Sequence, residues 1–345
     1  MNYKWKLADL KKVKKNNYKV FTCFSCGGGS SMGYKLAGYE VIGNNEIDKN
    51  MNSMYLKNFN VKYNYEMGIQ EFKKLEEYPE ELYNIDILDG SPPCSTFSIA
   101  GQREKNWGKE KKFREGQEKQ VLSDLFFDFI DLVERIKPKI IIAENVKGII
   151  VGNAKGYVNE IINRLNNIGY DTQVFLLNAA FMGVPQRRER VFFISRRKDL
   201  NLPKIELSFN EKPIYYGEFA DNKYKPFSKD TLTYKRWLKR KPEDKTIGDT
   251  VKRTENGKIS GVALPYAKKN VVLPTITASG GMYRYDVPGY ISDLDYIHGQ
   301  SFPEDYDFNG QSVQYVCGMS VPPLMMEKVA KQVQLQLLDK IGEKL

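Results

Sequence analysis

The sequence has little of what metal sites and disulfide frameworks require. Its 345 residues include four cysteines, Cys23, Cys26, Cys94 and Cys317, and one histidine, His298. One Cys-x-x-Cys pair beside one histidine lacks the paired ligand spacing of a zinc site, and no disulfide framework is evident. We therefore expect no metal, reduced thiols and a cytoplasmic location.

Long apolar runs are also missing. No stretch is long and apolar enough to span a bilayer, and the Lys-rich amino terminus lacks the apolar core of a secretory signal. We therefore expect a protein that works without a membrane. Its length allows one large domain or two of ordinary size.

Positive charge is in excess, and nearly all of the surplus over negative charge lies in one segment. The formal net charge is +10, and residues 196–272 hold 19 Lys and Arg against 10 Asp and Glu. Such a surplus attracts a polyanion, and a nucleic-acid backbone is the polyanion that we expect. The alternative is an ordinary Lys-rich solvated surface.

Apolar runs predict strands that alternate with helices. The predicted strands are 19–24, 39–43, 85–88, 139–143, 172–177 and 190–195, and the predicted helices are 122–136, 158–167 and 322–338. This alternation favours an α/β fold with a doubly wound, mostly parallel sheet. The pattern is lost after Arg197. We therefore predict a catalytic domain over 1–196, a small irregular domain over 197–300, and a return segment over 301–345 whose helix packs on the first domain.

Cys94 follows an apolar run and the turn Pro92-Pro93. Proline fixes its own φ and cannot extend a central strand, so the thiol is expected at the carboxyl end of a strand. Open α/β sheets bind ligands at that edge. Cys94 is therefore either a nucleophile or a small buried hydrophobe.

A glycine cluster, Cys26-Gly-Gly-Gly-Ser-Ser-Met-Gly33, follows the first predicted strand, and Tyr34 is expected to open a helix. Glu46 ends the second strand about 20 residues later, the spacing at which dinucleotide folds place a carboxylate on a ribose hydroxyl. The glycines do not match the dinucleotide pattern, so we predict a nucleoside cofactor other than NAD. An ordinary tight turn is the alternative.

Further charged side chains lie at predicted strand ends. Glu144 is expected at the same sheet edge as Cys94, either as a general acid or as a capping or solvent-facing residue. Arg188 and Arg190 alternate with Glu189 and so point the same way, with guanidinium forks that suit a base edge or a phosphate. Their alternative role is a salt-bridged strand entrance.

The loop between 101 and 120 directly follows Cys94 and is polar and basic. We predict that it closes over bound substrate. Trp107 and Phe113 are expected either to stack on or wedge between bases, or to fasten the loop to the body of the protein.

These pieces occur in the order found in one protein family. The motifs are Phe24-Ser-Cys-Gly-Gly-Gly, Asn45-Glu-Ile-Asp48, Gly90-Ser-Pro-Pro-Cys-Ser-Thr-Phe-Ser98, Glu144-Asn-Val146, Leu177-Asn-Ala-Ala180, Gln186-Arg-Arg-Glu-Arg190, Pro274-Thr-Ile-Thr277 and Gly318-Met-Ser-Val-Pro322. In these motifs the chain resembles the S-adenosylmethionine-dependent cytosine-C5 DNA methyltransferases. The resemblance covers all but about 197–272, where that family places its target-recognition region.

The resemblance implies a role for each motif in transferring a methyl group to C5 of a cytosine that has been flipped out of a short duplex site. Cys94 is expected to attack C6, and Glu144 to hold or protonate N3. Asn145 is expected to support the site, while Arg188 and Arg190 neutralise charge near the cytosine O2. Charge that develops on the ring has to be stabilised as it forms, and flipping costs a few kcal/mol.

The resemblance also assigns cofactor and DNA contacts. The expected S-adenosylmethionine contacts are Phe24, Ser25, Cys26, Gly27, Gly29, Glu46, Ile47, Ile69, Pro93, Leu125 and Ser320. Within this set Glu46 takes the ribose hydroxyls, Ile47 and Ile69 flank the adenine, and Ser320 lies near the methionine end. The expected contacts with double-stranded DNA are Ser98, Gln102, Arg103, Arg114, Arg236 and Lys239.

The chain departs from the family pattern at several positions. Cys26 replaces the first glycine of the cofactor turn, and Gly68 stands where an aspartate commonly contacts the adenine amino group. Ser95, Leu273 and Met319 replace a glutamine, an arginine and an asparagine.

Two other functions fit the same scaffold: an RNA (tRNA) cytosine-C5 methyltransferase and a non-catalytic DNA-binding relative. The intact set of catalytic residues argues against the second. We expect a monomer, with a cognate restriction endonuclease as a candidate partner.

Overall fold

The structure is a computed structural model that describes residues 2–93, 110–111, 120–121, 124–151, 155–255 and 264–341. Several predicted site residues lie outside the described residues: Cys94, Ser95, Ser98, Gln102, Arg103, Trp107, Phe113 and Arg114. Their predicted roles therefore stay predictions.

In chain order the strands are β1 (Lys19–Cys23), β2 (Glu40–Asn45), β3 (Tyr63–Tyr65), β4 (Ile87–Gly90), β5 (Glu110–Lys111), β6 (Gln120–Val121), β7 (Ile140–Val146), β8 (Tyr170–Asn178), β9 (Glu189–Arg197), β10 (Lys225–Pro226), β11 (Tyr266–Ala267), β12 (Tyr283–Arg284) and β13 (Gly289–Tyr290). The helices are α1 (Gly29–Leu36), α2 (Lys49–Asn58), α3 (Ile69–Phe72), α4 (Glu80–Tyr83), α5 (Leu125–Ile136), α6 (Lys155–Asn167), α7 (Leu232–Leu238), α8 (Ile247–Thr254), α9 (Asp293–Gly299), α10 (Val313–Met319) and α11 (Pro323–Gln336).

Seven strands form the main sheet, in the order β3-β2-β1-β4-β7-β9-β8. The first five pair in parallel, whereas β9 runs antiparallel to both β7 and β8. Helices cover both faces, so the strands are apolar on both sides. The prediction of a doubly wound, mostly parallel α/β sheet is confirmed.

Alternate residues of the central strands enter two different cores. In β7, Ile140 and Ile142 face a core shared with α1, α2 and α11, whereas Ile141 and Ala143 face a core shared with α5 and α6. This alternation fixes which residues of β7 face each of the two cores. Glu144 lies on the same face of β7 as Ile142.

Two local differences from the predicted elements matter for the site. Helix α1 begins at Gly29, inside the glycine cluster and earlier than the predicted Tyr34. Strand β7 extends to Val146, so Glu144 and Asn145 belong to the strand itself. Both differences bring functional residues onto regular, rigid elements.

A second, smaller sheet, β10-β13-β12-β11, lies beside α7 and α8; β10 and β11 belong to the basic segment, and β12 and β13 follow it. Trp237, Tyr266 and Tyr283 form its core. The flanking residues Tyr216 and Leu273 pack instead in the main core. The predicted domain boundaries at 196 and 300 stay predictions.

The chain returns to the main sheet through α11, which packs closely on α1. A Cβ atom at Gly33 would lie 2.4 Å from Cβ of Met326. Within the described ranges, no helix is both long and apolar enough to cross a membrane.

Candidate active site and cofactor site

Buried Glu144 and half-buried Arg190 form an ion pair across two antiparallel strands. Val146 of β7 lies opposite Arg190 of β9, and Glu144 lies two residues before Val146, on the same face of the strand. The side chains of Glu144 and Arg190 therefore meet on that face. Nε of Arg190 lies 2.9 Å from Oε1 of Glu144, whose exposed fraction is 8%. Glu144 therefore does not face solvent. Arg190 forms a salt bridge, as its alternative predicted role required. The pair holds an oriented carboxyl group at the strand end.

Asn145 ties the turn before Cys94 to β7. Its Nδ2 donates to the carbonyl of Pro92 at 3.1 Å, and its Oδ1 accepts from the N–H of Val146 at 2.9 Å. Gly90 pairs with Ala143 in the sheet, so Ser91, Pro92 and Pro93 continue beside the residues that follow Ala143. Asn145 thus positions the backbone that leads into the predicted nucleophile.

Arg188 is buried, with 1% of its surface exposed, and its guanidinium donates to main-chain carbonyls. The acceptors are the carbonyl oxygens of Ile276 at 2.8 Å, Gly318 at 2.8 Å and Ser320 at 3.1 Å. These bonds favour a positioning role. The predicted role near the cytosine O2 stays a prediction.

Gln186 also hydrogen-bonds to distant parts of the chain, a role that was not predicted from the sequence. Its Oε1 accepts from the N–H of Ile276 at 2.8 Å, and its Nε2 donates to Oε1 of Gln300 at 2.6 Å. Glutamines are usually exposed, so nothing in its type marked it. Its place in the Gln186-Arg-Arg-Glu-Arg190 motif was the available signal.

The glycine-rich turn after β1 has an unusual backbone. Phe24, Cys26 and Gly28 all have positive φ, at 55°, 43° and 71°. The N–H of Cys26 donates to Oε2 of Glu46 at 2.7 Å. A Cβ at Gly29 would lie 2.0 Å from the carbonyl oxygen of Val321, so glycine allows this close approach. The cluster thus joins three chain segments and is more than an isolated tight turn.

Glu46 lies at the end of β2 with 7% of its surface exposed. Burial raises its pKa to about 7, although the N–H groups of Asp48 and Cys26, at 2.9 Å and 2.7 Å, oppose that rise. A buried carboxyl group beside a sheet edge can accept hydrogen bonds from a pair of ribose hydroxyls.

The other predicted cofactor residues surround the same edge. Ile69 and Leu125 are buried, and Ile47 and Pro93 are half-buried. The hydroxyl oxygen of Ser320 is buried and has no hydrogen-bond partner in the part of the chain that the structure describes. That oxygen also lies 2.9 Å from where a Cβ at Gly27 would be.

Two of the predicted cofactor residues are anchored by polar contacts. Ser25 Oγ accepts from Asn44 Nδ2 at 3.0 Å, and the carbonyl of Gly27 accepts from Tyr306 OH at 2.8 Å. An unpartnered buried hydroxyl, a buried carboxyl and a glycine cradle fit a polar nucleoside cofactor.

Asp89 is a buried acid that the sequence analysis missed. It is 1% exposed, lies opposite Ile142 in the β4–β7 pair, and accepts from Tyr34 OH at 3.0 Å. Burial, with a smaller contribution from the charge of Glu144, raises its pKa to about 8. The signal was an acid inside the apolar run Ile87-Leu-Asp-Gly90.

The two predicted DNA contacts within the described residues lie near α7. Arg236 is paired with Glu255 at 2.7 Å, whereas Lys239 is exposed. Arg240 stacks on Trp237, with the guanidinium carbon 3.2 Å from the ring centroid, and Trp237 is buried. Lys239 is therefore the better placed of the two for a phosphate contact.

Comparisons with known proteins agree on one family. Residues 18–335 match the family described as C-5 cytosine-specific DNA methylase. Type II methyltransferase M.NgoPII of Neisseria gonorrhoeae is 33% identical over 246 residues, which are 70% of this chain and 64% of that protein. Type II methyltransferase M.FnuDI of Fusobacterium nucleatum is 36% identical over 192 residues, which are 55% of this chain and 50% of that protein. The chain thus spans less than two thirds of either relative.

The fold also has a counterpart among solved structures. A putative DNA modification methyltransferase encoded within an Escherichia coli prophage matches with a TM-score of 0.65 and 20% identity, covering 94% of this chain and 100% of that one. At this identity the match supports the fold alone.

Proposed function

The chain belongs to the C-5 cytosine-specific DNA methylase family, and we propose that it transfers a methyl group to C5 of a cytosine in double-stranded DNA. The observation that carries the proposal is the ion pair between buried Glu144 and Arg190, 2.9 Å apart. It lies beside the Pro92 turn that Asn145 ties to β7. These groups come from separate motifs and meet beside the turn that precedes Cys94 in the chain.

The chemistry needs a nucleophile and a way to stabilise charge on the pyrimidine. The Cys94 thiolate adds to C6 of the flipped base, and a protonated carboxyl group hydrogen-bonded to N3 donates its proton as negative charge develops there. C5 then takes the methyl group, whose bond to the donor sulfur breaks, and S-adenosylhomocysteine is the leaving group. Loss of the C5 proton and release of the thiolate restore the ring and the double bond. Glu144 is the carboxyl at N3, and Arg190 orients it.

The methyl donor is S-adenosylmethionine, which supplies an electrophilic methyl group when bound. Glu46 holds the ribose hydroxyls, and the turn from Phe24 to Gly29 wraps the donor. Ile47 and Ile69 flank the adenine. The unpartnered hydroxyl of Ser320 supports placing the methionine end there.

Covalent trapping tests the proposal. Duplex DNA in which the target cytosine is 5-fluorocytosine has no C5 proton to release, so the enzyme is expected to remain attached when S-adenosylmethionine is present. Because the recognition site is unknown, it is first identified by bisulfite sequencing of DNA from cells that express the chain. Attachment is read by gel shift under denaturing conditions, with tRNA as a parallel substrate.

Matched cysteine variants give the decisive comparison. Cys94→Ala is expected to abolish trapping, whereas Cys23→Ala, which alters a buried cysteine of β1, keeps it. Trapping that survives Cys94→Ala overturns the assignment of Cys94 as the nucleophile. Methylation of tRNA without methylation of duplex DNA overturns the proposal that duplex DNA is the substrate.

We further infer that the enzyme acts as a monomer in the cytoplasm, alongside a cognate restriction endonuclease. A single chain supplies Glu144, Arg190 and Glu46, which supports a monomeric enzyme. The relatives are named type II methyltransferases, which supports a cognate endonuclease as partner. Light scattering on the purified enzyme with and without duplex DNA tests the first inference. A dimer under both conditions would contradict it.

A further inference from the structure

A small polar cavity lies at the end of β9 that is opposite the Glu144–Arg190 pair. It has a volume of about 210 Å³ and is lined by Asp171, Arg196, Arg197, Lys198, Asn201 and Leu202. Arg196 follows Arg190 by six residues in this strand. At about 3.4 Å per residue, the cavity lies roughly 20 Å from the ion pair. It is therefore separate from the proposed active site.

Arg196 brings an incompletely bonded guanidinium group to this cavity. Only 6% of its surface is exposed, and its side chain makes one hydrogen bond within the described residues, from Nη1 to the carbonyl oxygen of Leu202 at 3.0 Å. Its Nε is enclosed and has no partner in the same part of the chain. A buried donor without a partner is costly, and a bound acceptor offsets that cost. The Nε–Nη2 edge of Arg196 is thus open to an anion.

The next two residues add positive charge that is held in place. Nη1 of Arg197 donates to the carbonyl oxygen of the residue after α5 at 2.7 Å, and Nζ of Lys198 donates to a carbonyl oxygen of α6 at 3.0 Å. Asp199 pairs with Arg197 at 2.8 Å, whereas neither Arg196 nor Lys198 has an ion-pair partner among the described residues. Fixed cationic groups of this kind suit an oxyanion.

Asp171 is the acidic residue of the lining. It lies directly opposite Arg196 in the antiparallel β8–β9 pair, so both side chains are on the same face of the sheet. Its carboxylate is exposed and forms no ion pair with Arg196 or with another described residue. An ionised carboxylate accepts hydrogen bonds and donates none. Asp171 therefore repels an anion unless that anion brings a proton of its own.

We propose that this cavity binds inorganic phosphate as the hydrogenphosphate ion. The charged oxygens accept hydrogen bonds from the Nε–Nη2 edge of Arg196, and the P–OH group donates to the carboxylate of Asp171. Sulfate and the diester phosphates of nucleic acids carry no such proton at neutral pH, so Asp171 disfavours both. The inference does not depend on the proposed methyl transfer, because the cavity and the active site lie at opposite ends of β9.

The test compares phosphate with sulfate, which has the same shape but no proton to donate. Calorimetry at pH 7 in a buffer free of both ions gives Kd for each. A hydrogen bond to a charged group is typically strong enough to change Kd about tenfold or more. We expect phosphate to bind more tightly than sulfate by at least about that factor. In Asp171→Asn the amide can donate to either ion, so we expect sulfate binding to tighten and the preference to disappear.

Matched variants separate the cavity from general effects of charge. Asp230→Asn makes the same change at an exposed aspartate outside the cavity and is expected to alter neither Kd. Arg196→Gln is expected to weaken both ions by about tenfold or more. A thermal melt shows whether that variant folds, and Lys198→Gln, at an exposed position, replaces it if it does not. Lys198→Gln is likewise expected to weaken both ions.

Several results would overturn the phosphate site. The proposal fails if the unaltered protein binds neither ion or binds both equally, and it fails if Asp171→Asn leaves the ratio of the two Kd values unchanged. Displacement of phosphate by a short DNA duplex would show that the cavity takes diester phosphates instead. A protein that methylates DNA and fails these tests loses the phosphate site but keeps the proposed function, so the two are tested separately.

Discussion

Glu46 is expected to make binding of the proposed cofactor sensitive to pH in the neutral range. Burial raises its pKa to about 7, and protonation removes an acceptor oxygen that the ribose hydroxyls need. Below that pKa the ionised fraction falls about tenfold per pH unit. We therefore expect Kd for S-adenosylhomocysteine to rise as the pH falls from 8 to 6, by roughly tenfold, in calorimetry.

The control is Glu46→Gln, which has no carboxyl group to titrate. Its affinity is expected to be lower than that of the unaltered protein at pH 8 and almost independent of pH. A variant that keeps the same slope would show that another group titrates.

Asp89 is expected to make the fold less stable as the pH rises. Its pKa is about 8 in the folded protein but about 4 in an unfolded chain. Between those values the folded state keeps a proton that the unfolded state has released, so stability falls with rising pH and levels off above about 8. Asp89→Asn removes this loss, because asparagine stays neutral and still accepts from Tyr34.

Thermal melts at pH 4.5 and pH 8.5 measure the effect. Asp89→Asn is expected to raise the free energy of unfolding by on the order of 1–3 kcal/mol at pH 8.5 and by much less at pH 4.5. Asp171→Asn, at an exposed aspartate, serves as the matched control. Equal shifts at both pH values would mean that Asp89 does not carry the expected buried proton.

Single residues also show where sequence reasoning reached its limit. Glu144 and Glu46 could be placed because each follows a recognisable strand. The bonding of Arg188 could not, because its acceptors lie 88, 130 and 132 residues away in the chain.

At the scale of elements, the contact between α1 and α11 depends on Gly33. A Cβ there would lie 2.4 Å from Cβ of Met326 and 2.7 Å from the carbonyl oxygen of Pro323. Relieving such overlap requires backbone shifts. Gly33→Ala is therefore expected to lower the free energy of unfolding in urea by about 1–3 kcal/mol, despite the better helix propensity of alanine.

Gly156 in α6 provides the matched helix glycine. A Cβ there would meet no atom of the described residues within 4 Å, so Gly156→Ala is expected to be neutral or to stabilise by up to about 1 kcal/mol. If the two substitutions have the same effect, helix propensity outweighs the close contact at Gly33.

Elements were predictable in proportion to their length and periodicity. The strands that became β7 and β9 have long apolar runs, and α5 has a clear apolar face, so each was placed within a few residues. Strand β3 has three residues and was missed. The early start of α1 was hidden because glycine and serine are weak helix formers, and here packing against Val321 overrides propensity.

At the scale of the whole molecule, the basic segment is expected to make DNA binding depend on salt. Each phosphate contact that is lost reduces the slope of log K against log salt concentration by about 1. Lys239→Ala is expected to show that reduction in fluorescence anisotropy, with a uniform loss of affinity across DNA sequences. Lys12→Ala, at an exposed lysine outside the segment, should leave the slope unchanged.

The architecture of the molecule followed from the alternation of strands and helices, but the relation between its parts did not. Composition marked the segment after Arg197 as basic and irregular. It did not reveal that Tyr216 and Leu273 belong to the main core. Such long-range packing depends on side-chain shape, which no local pattern in the sequence reports.

The contacts of Arg188 have a consequence for how the protein comes into being. Synthesis proceeds from the amino terminus, and the carbonyl of Gly318 is made 130 residues after Arg188. At about 5–20 residues per second, roughly 7 to 26 s separate the two on the ribosome. During that interval Arg188 has no partner at Gly318 or Ser320, and Gly29 has no Val321 to approach. The contacts that hold Arg188 and the glycine cluster thus form only after residue 321 has been translated.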